Sequence, residues 1–150
     1  GTLSMPGPNS QLSLLAATGK TISLTVNGLV DVGRSLSLTG STGVTSTVTV
    51  NSGGELRAGS AGSGGVIDFK NPSQIVTGAG TFTLGAGSNL QIGAPAGLDP
   101  LTGPIQTSIR TLPSGAGYRY LGTAAQVTGP ELPASVRRLS AYRTLCVSGQ

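Results

Sequence analysis

Short segments in which apolar and polar residues alternate recur along most of this chain, and glycine-containing turns separate them. Residues 21–26, 46–50 and 81–84 show the pattern most clearly. A period of two places successive side chains on opposite faces of a half-buried strand. The turns draw on 25 glycines, which adopt positive φ without steric cost. We therefore expect an all-β fold in which only residues 133–139 could form a helical turn or two.

An internal repeat indicates how these strands stack. Residues 49–59 align without a gap on residues 83–93, and residues 25–33 form a shorter copy. Each copy consists of a strand, a glycine turn and a second strand, a unit that buries little until neighbours stack on it. The sequence therefore predicts a parallel β-solenoid, and the alignment stacks Asp31 over Glu55. A β-sandwich is the alternative, although two Phe and three Tyr supply few aromatics for its core.

The composition divides the chain into three parts. Residues 1–93 are glycine- and threonine-rich solenoid repeats, residues 94–104 are a proline-rich loop, and residues 105–150 are a β segment containing tyrosine and arginine that continues the same body. Residues 100–150 hold five arginines and one glutamate, which account for the whole net charge of +4. The strand pattern returns at residues 144–150. No polar cap is evident, so we expect the ends to stack on copies of this chain or on its parent chain.

The candidate contact residues are concentrated in the last segment. Arginine attracts anionic polymers, and tyrosine interleaved with arginine can stack on sugars. Alternatively, the tyrosines close one end of the core and the arginine stems cover them. A surface polysaccharide is the expected ligand class, without sequence-specific nucleic-acid binding or membrane insertion. The candidate ligand or assembly contacts are Arg110, Tyr118, Arg119, Tyr120, Arg137, Arg138, Tyr142 and Arg143.

Catalytic chemistry has little support in this sequence. The chain contains no histidine, which excludes Ser-His-Asp, Cys-His and histidine-bearing zinc sites within it. We predict no catalytic, metal or cofactor site. A polysaccharide-active β-helix enzyme is the weakest alternative, because it needs two close carboxylates such as Asp31 and Glu55. The single cysteine, Cys146, is expected to be a small buried residue, and an intermolecular bridge or reactive thiol is the alternative.

Residues 76–98 and 105–139 resemble a repeat region of very large surface proteins of Bacteroidota. The shared pattern is a glycine-rich strand repeat, followed by Tyr-x-Tyr-x-Gly, Gln-x-Thr-Gly and Leu-Pro-x-x-Val-x-x-Leu. The matching positions are Tyr118, Tyr120, Gly122, Gln126, Thr128, Gly129, Leu132, Pro133, Val136 and Leu139. The resemblance implies an extracellular or outer-surface location, similarity to adhesins and export by a type IX route. It brings no catalytic motif.

The leading hypothesis is therefore a structural segment of an extracellular, adhesin-like or fibre-forming surface protein that self-associates end to end. The first alternative is a carbohydrate- or surface-binding module that uses the last third of the chain. Any targeting signal is expected outside these 150 residues.

Overall fold

The computed structural model of the protein describes residues 1–5, 7–15, 17, 19–38, 44–62 and 64–147. Within these ranges the chain forms fifteen strands and no helix, and all the strand pairs are parallel. The prediction of a parallel β-solenoid is confirmed, and a sandwich of antiparallel sheets is excluded. The strands are β1 (Thr2–Met5), β2 (Gln11–Ser13), β3 (Thr21–Val26), β4 (Leu29–Val32), β5 (Ser35–Ser37), β6 (Thr45–Val50), β7 (Glu55–Ala58), β8 (Val66–Phe69), β9 (Gln74–Leu84), β10 (Asn89–Ile92), β11 (Ile105–Thr111), β12 (Gly117–Tyr120), β13 (Gln126–Val127), β14 (Arg138–Ala141) and β15 (Leu145–Cys146).

Successive turns of the coil place their strands in three stacks. The first stack contains β3, β6 and the N-terminal parts of β9 and β11, and the second contains β1, β4, β7 and the C-terminal parts of β9 and β11. The third contains β2, β5, β8, β10, β12 and β14. Because β9 runs through the first two stacks, they form one sheet. At about 4.8 Å per strand, the six strands of the third stack span about 24 Å.

Side chains at matching positions form columns inside the coil. One column of the third stack runs through every turn, and its members from Leu36 to Tyr118 are fully buried. Burying one such side chain contributes about 1.5–3 kcal/mol, so the column is a main source of stability. Its members are Leu12, Leu36, Ile67, Leu90, Tyr118 and Leu139. The matching column of the second stack consists of Leu3, Val30, Leu56, Phe82 and, in the last turn, Arg110.

The sequence repeat does not give the register of stacking. The gap-free alignment matches Leu56 with Leu90, but the structure pairs Leu56 with Phe82 and places Leu90 in the third stack. Residues 49–59 join the first stack to the second, whereas residues 83–93 join the second stack to the third. The two copies therefore encode the same strand, glycine turn and strand at different corners of the coil.

Glycine is required where these corners stack closely. Gly87 has φ of 85°, and a Cβ built on it would lie 2.2 Å from the carbonyl oxygen of Gly62 in the turn before. Gly53 has a similar φ of 77°, but no atom lies within 4 Å of its Cβ position. Both sites therefore need the left-handed conformation, and only Gly87 also needs the missing side chain.

The two ends of the coil differ. At the open end, formed by β1, β2 and β3, each strand pairs on one side only within the described residues, and Leu3 and Leu15 are 48% and 72% exposed. The covered end is formed by β11 and β14, and Leu132 and Val136 pack there against the core. β11 and β14 also pair on one side only in the described part of the chain, so the two ends differ in their covering segment and not in their strand pairing.

The end of the chain bears on three expectations, of which the burial of Cys146 is corrected. Only Leu145 and Cys146 form a strand within the pattern predicted at residues 144–150, and residues 148–150 lie outside the described residues. Cys146 is exposed, so its predicted burial is wrong; β15 has β13 as its only strand partner in the described chain. Residues 133–139 form no helical turn. The described residues contain no helix that could span a bilayer.

Candidate functional site

The two tyrosines of β12 point into the core. Tyr118 and Tyr120 are both 0% exposed, and burial raises the pKa of each hydroxyl above its usual value. The Tyr118 hydroxyl donates to the carbonyl of Pro113 at 2.9 Å, and the Tyr120 hydroxyl donates to the carbonyl of Thr128 at 2.7 Å. These rings close the last turns of the core, so neither presents a face on which a surface ligand could stack.

Arg119 lies between these tyrosines and faces outward. Its neighbours in the adjoining turns are Gln91 and Ser140. The Nε of Arg119 and the Oε1 of Gln91 are both buried and have no hydrogen-bond partner in the described part of the chain. The arginine therefore covers a polar position on the outer face of the third stack without an acid to pair with.

Arg110 occupies a core position rather than a surface one. It continues the column that contains Phe82, and its guanidinium pairs with Glu131 at 3.2 Å. It also donates to the carbonyl of Thr107. An arginine at the top of an apolar column ends the core, because its charge needs water or an acid beside it. Arg110 is therefore part of the covered end.

Arg137 is used to hold adjacent turns together. Its guanidinium donates to the carbonyl oxygens of Gly115 at 3.1 Å, Gly87 at 3.0 Å and Ser88 at 3.2 Å, and to the side-chain oxygen of Asn89 at 3.2 Å. These acceptors precede or begin β12 and β10, and Arg137 itself precedes β14. This arginine acts as a clamp across three turns.

The remaining predicted contacts stay at the surface. Arg138 lies in β14 opposite Gly117, and Tyr142 is 72% exposed. Arg143 is exposed as well. The structure thus separates the eight candidates into four that build the covered end of the coil (Arg110, Tyr118, Tyr120 and Arg137) and four that remain on its outside (Arg119, Arg138, Tyr142 and Arg143).

The acids proposed for catalysis form a bracing network with Arg57. The predicted stacking of Asp31 over Glu55 is wrong, because Asp31 lies opposite Arg57 and Glu55 lies two residues away. Arg57 pairs with Glu55 at 2.9 Å and with Asp31 at 3.7 Å, and the Thr83 hydroxyl donates to Glu55 at 2.7 Å. Burial alone raises the pKa of Glu55, but the hydrogen bonds from Thr83 and Arg57 and the charge of Arg57 outweigh it and lower the pKa. The arrangement holds two carboxylates on one guanidinium across successive turns.

Other polar groups have similar internal partners. Lys70 pairs with Asp68 at 3.1 Å. The described residues contain no group of three or more His, Cys, Asp or Glu that could hold a metal ion. The side chain of Asn51 donates to the side chain of Asn27 one turn below at 2.6 Å.

Two residues that build the covered end were not among the sequence candidates. Glu131 is the only acid after residue 100, and this isolation in an arginine-rich segment was the available signal. Gln126 is buried, donates to the carbonyls of Ile92 and Ala94 at 3.0 Å and accepts from the backbone N–H of Gly122 at 2.6 Å. The alternation of apolar and polar residues does not identify this glutamine, and its place in the Gln-x-Thr-Gly pattern was the available signal.

Comparisons of the chain with protein-family models, with curated proteins and with solved structures found no match. The resemblance to bacterial surface repeats therefore stays a prediction, and any proposal of function depends on the residues and their geometry.

Proposed function

We propose that this chain is a structural segment of an extracellular, adhesin-like or fibre-forming surface protein, in which it serves as a rigid spacer. The observation that carries the proposal is the unbroken column from Leu12 to Leu139, with one side chain from each turn of the third stack. A coil in which each turn packs on the next resists bending and compression along its axis. Such a body can separate functional domains by a fixed distance.

The use of the charged residues supports a mechanical role. Arg57, Arg110 and Lys70 each pair with an acid, and Arg137 binds backbone carbonyls of other turns. These side chains therefore reinforce contacts between or within turns. The surface location is supported by the resemblance to exported repeat proteins given above.

Labelling of intact cells tests the location. Antibodies raised against the purified segment should stain intact cells of the source organism, and mild protease treatment of those cells should remove the staining. Staining that requires permeabilised cells would contradict an extracellular role.

A replacement experiment in the parent protein tests the spacer role. An unrelated solenoid of similar height should restore attachment or assembly, whereas a flexible Gly/Ser linker should not. Full restoration by the flexible linker would show that rigidity is not what the segment supplies.

Binding of an anionic polysaccharide is a second candidate function. Arg119, Arg138 and Arg143 have no acidic partner within the described residues, and Tyr142, which precedes Arg143 in the sequence, has most of its surface exposed. Binding to an anionic polysaccharide column should weaken when Arg138→Ser and Arg143→Ser are combined, and should weaken with salt. Arg34→Ser, far from this end, is the control. If the double variant were retained on the column as strongly as the Arg34→Ser control, this candidate function would be ruled out.

A further inference from the structure

A column of polar side chains runs along the outer face of the third stack. Asp68, Gln91 and Arg119 pair in register in β8, β10 and β12. In each strand they alternate with fully buried core residues, so they face away from the interior. Each turn adds one side chain at a spacing of about 4.8 Å. A molecule lying along the axis of the coil would therefore contact one polar group in each of these turns.

Two neighbouring atoms of this column lack hydrogen-bond partners. The Oε1 of Gln91 is a buried acceptor and the Nε of Arg119 is a buried donor, and neither has a partner in the part of the chain that the structure describes. Gln91 as a whole is only 8% exposed. Buried polar atoms nearly always have a partner, so an unpartnered pair points to a molecule that binds there. A hydroxyl group satisfies both atoms, because it donates to an oxygen and accepts from an N–H.

The charges of the column favour a ligand that also carries an anionic group. Asp68 pairs with Lys70 at 3.1 Å, and the two charges cancel. Arg119 is half-buried and has no acidic partner among the described residues. The planar guanidinium offers parallel N–H donors that fit a carboxylate. The charge that a ligand meets at this column is therefore the guanidinium of Arg119.

A cleft adjoins the column where the same three strands end. Its volume is about 340 Å³, within the range of about 300–1,000 Å³ that small-molecule sites have. Its lining includes the residues that directly follow β8, β10 and β12, together with two prolines: Lys70, Gly93, Leu121, Pro72 and Pro95. Gly93 lies two residues after Gln91, so their Cα atoms are within about 7 Å of each other. An apolar cleft thus lies directly beside the unpartnered polar atoms.

We propose that the column and the cleft form one subsite for an acidic sugar, a single residue of an anionic polysaccharide. The C–H face of the sugar ring packs against Pro95 and Leu121, one hydroxyl lies between Gln91 and Arg119, and the carboxylate pairs with the Arg119 guanidinium. Because both unpartnered atoms are covered in the free protein, binding includes a rotation of the Arg119 side chain. The inference rests on the second candidate function and adds to it the position of a subsite and the chemical class of the sugar.

Calorimetric titration with oligosaccharides of galacturonate, mannuronate and glucuronate tests the subsite. The wild type should bind at least one of them, and the carboxyl-reduced form of that oligosaccharide should bind about tenfold more weakly, because it lacks the charged acceptor. Gln91→Leu removes the unpartnered acceptor at similar volume and should weaken binding about tenfold. Gln11→Leu, at an exposed glutamine of β2 in the same stack, is the matched control and should bind like the wild type. Circular dichroism establishes that the variants are folded.

The preference for the acidic sugar provides a second test. Arg119→Met should bind the acidic and the carboxyl-reduced oligosaccharide with equal affinity. A wild type that binds none of the acidic oligosaccharides would overturn both the subsite and the second candidate function. If binding is lost when Arg138→Ser and Arg143→Ser are combined but is unchanged in Gln91→Leu and Arg119→Met, polysaccharide binding stands and the subsite is overturned. The two unpartnered atoms would then hold an ordered water only.

Discussion

The guanidinium of Arg137 donates to the carbonyl oxygen of Gly87 at 3.0 Å, across two turns of the coil. The same group reaches Gly115 in the intervening turn at 3.1 Å. A planar fork with several fixed donors suits this geometry, and a lysine ammonium cannot reproduce it. One side chain thus fixes the corners of three turns relative to one another.

Replacement of this clamp should destabilise the covered end. Arg137→Lys keeps the charge but loses part of the hydrogen bonding, so we expect a loss of about 1 kcal/mol in the free energy of unfolding. Arg143→Lys is the matched control and should change it by less than about 0.5 kcal/mol. Urea denaturation measures both. Equal values for the two variants would show that the contacts of Arg137 do not contribute.

The stacked glycine corners should respond unequally to alanine. Gly87→Ala adds both a left-handed residue and a contact with the Gly62 carbonyl, so we expect a cost of about 2–4 kcal/mol. Gly53→Ala adds only the left-handed residue and should cost about 1 kcal/mol. Thermal and urea unfolding of the two variants compare these costs. Similar losses would mean that backbone conformation, not close stacking, requires glycine at Gly87.

The buried hydroxyl of Tyr120 should contribute to stability. Tyr120→Phe removes its 2.7 Å hydrogen bond to the carbonyl of Thr128, and we expect a loss of about 0.5–1.5 kcal/mol. The exposed Tyr142 provides the control, because Tyr142→Phe changes a solvated hydroxyl. A stability loss in Tyr142→Phe as large as in Tyr120→Phe would contradict this assignment.

The network around Glu55 should make stability depend on acidity. Because its pKa is lowered in the folded state, Glu55 contributes stability above its usual value of 4.5, and that contribution is lost as the pH falls through the folded pKa. Glu55→Gln should therefore be less stable than the wild type at neutral pH, and the difference should shrink in acid. The pKa of Asp99 is also lowered, chiefly by the hydrogen bond from the Thr102 hydroxyl. Asp99 is present in both the wild type and Glu55→Gln, so its contribution to the pH dependence of stability cancels in the difference between them. Urea midpoints at a series of pH values test this. A stability difference between the wild type and Glu55→Gln that grows as the pH falls would contradict the role of Glu55 in this network.

The fold could be predicted from the sequence to a large extent, whereas the register could not. Alternation at residues 21–26 and 81–84 gives strands, because which side chains face inward is a local property. Which strands stack depends on turn lengths, which within the third stack vary from 21 residues between Gly117 and Arg138 to 31 between Leu36 and Ile67. A gap-free alignment cannot detect such variation.

The candidate contacts were harder to predict, because the same residue types perform opposite roles. Tyr118 and Tyr142 are both tyrosines followed by arginine in the sequence, yet one ring is fully buried and the other is largely exposed. Tyr118 has a stacked neighbour in Leu90 below it and Leu139 above it. The distinction depends on the number of turns above each residue, which composition does not reveal.

The columns of side chains also determine how this chain reaches its native state. Because strands pair only with those of adjoining turns, folding can start from two neighbouring turns and add the others one at a time. The fraying order should follow the same rule: backbone amides of β1, β2 and β3, which pair on one side only, exchange with solvent soonest, and those of β8 and β10 in the interior of the third stack exchange last.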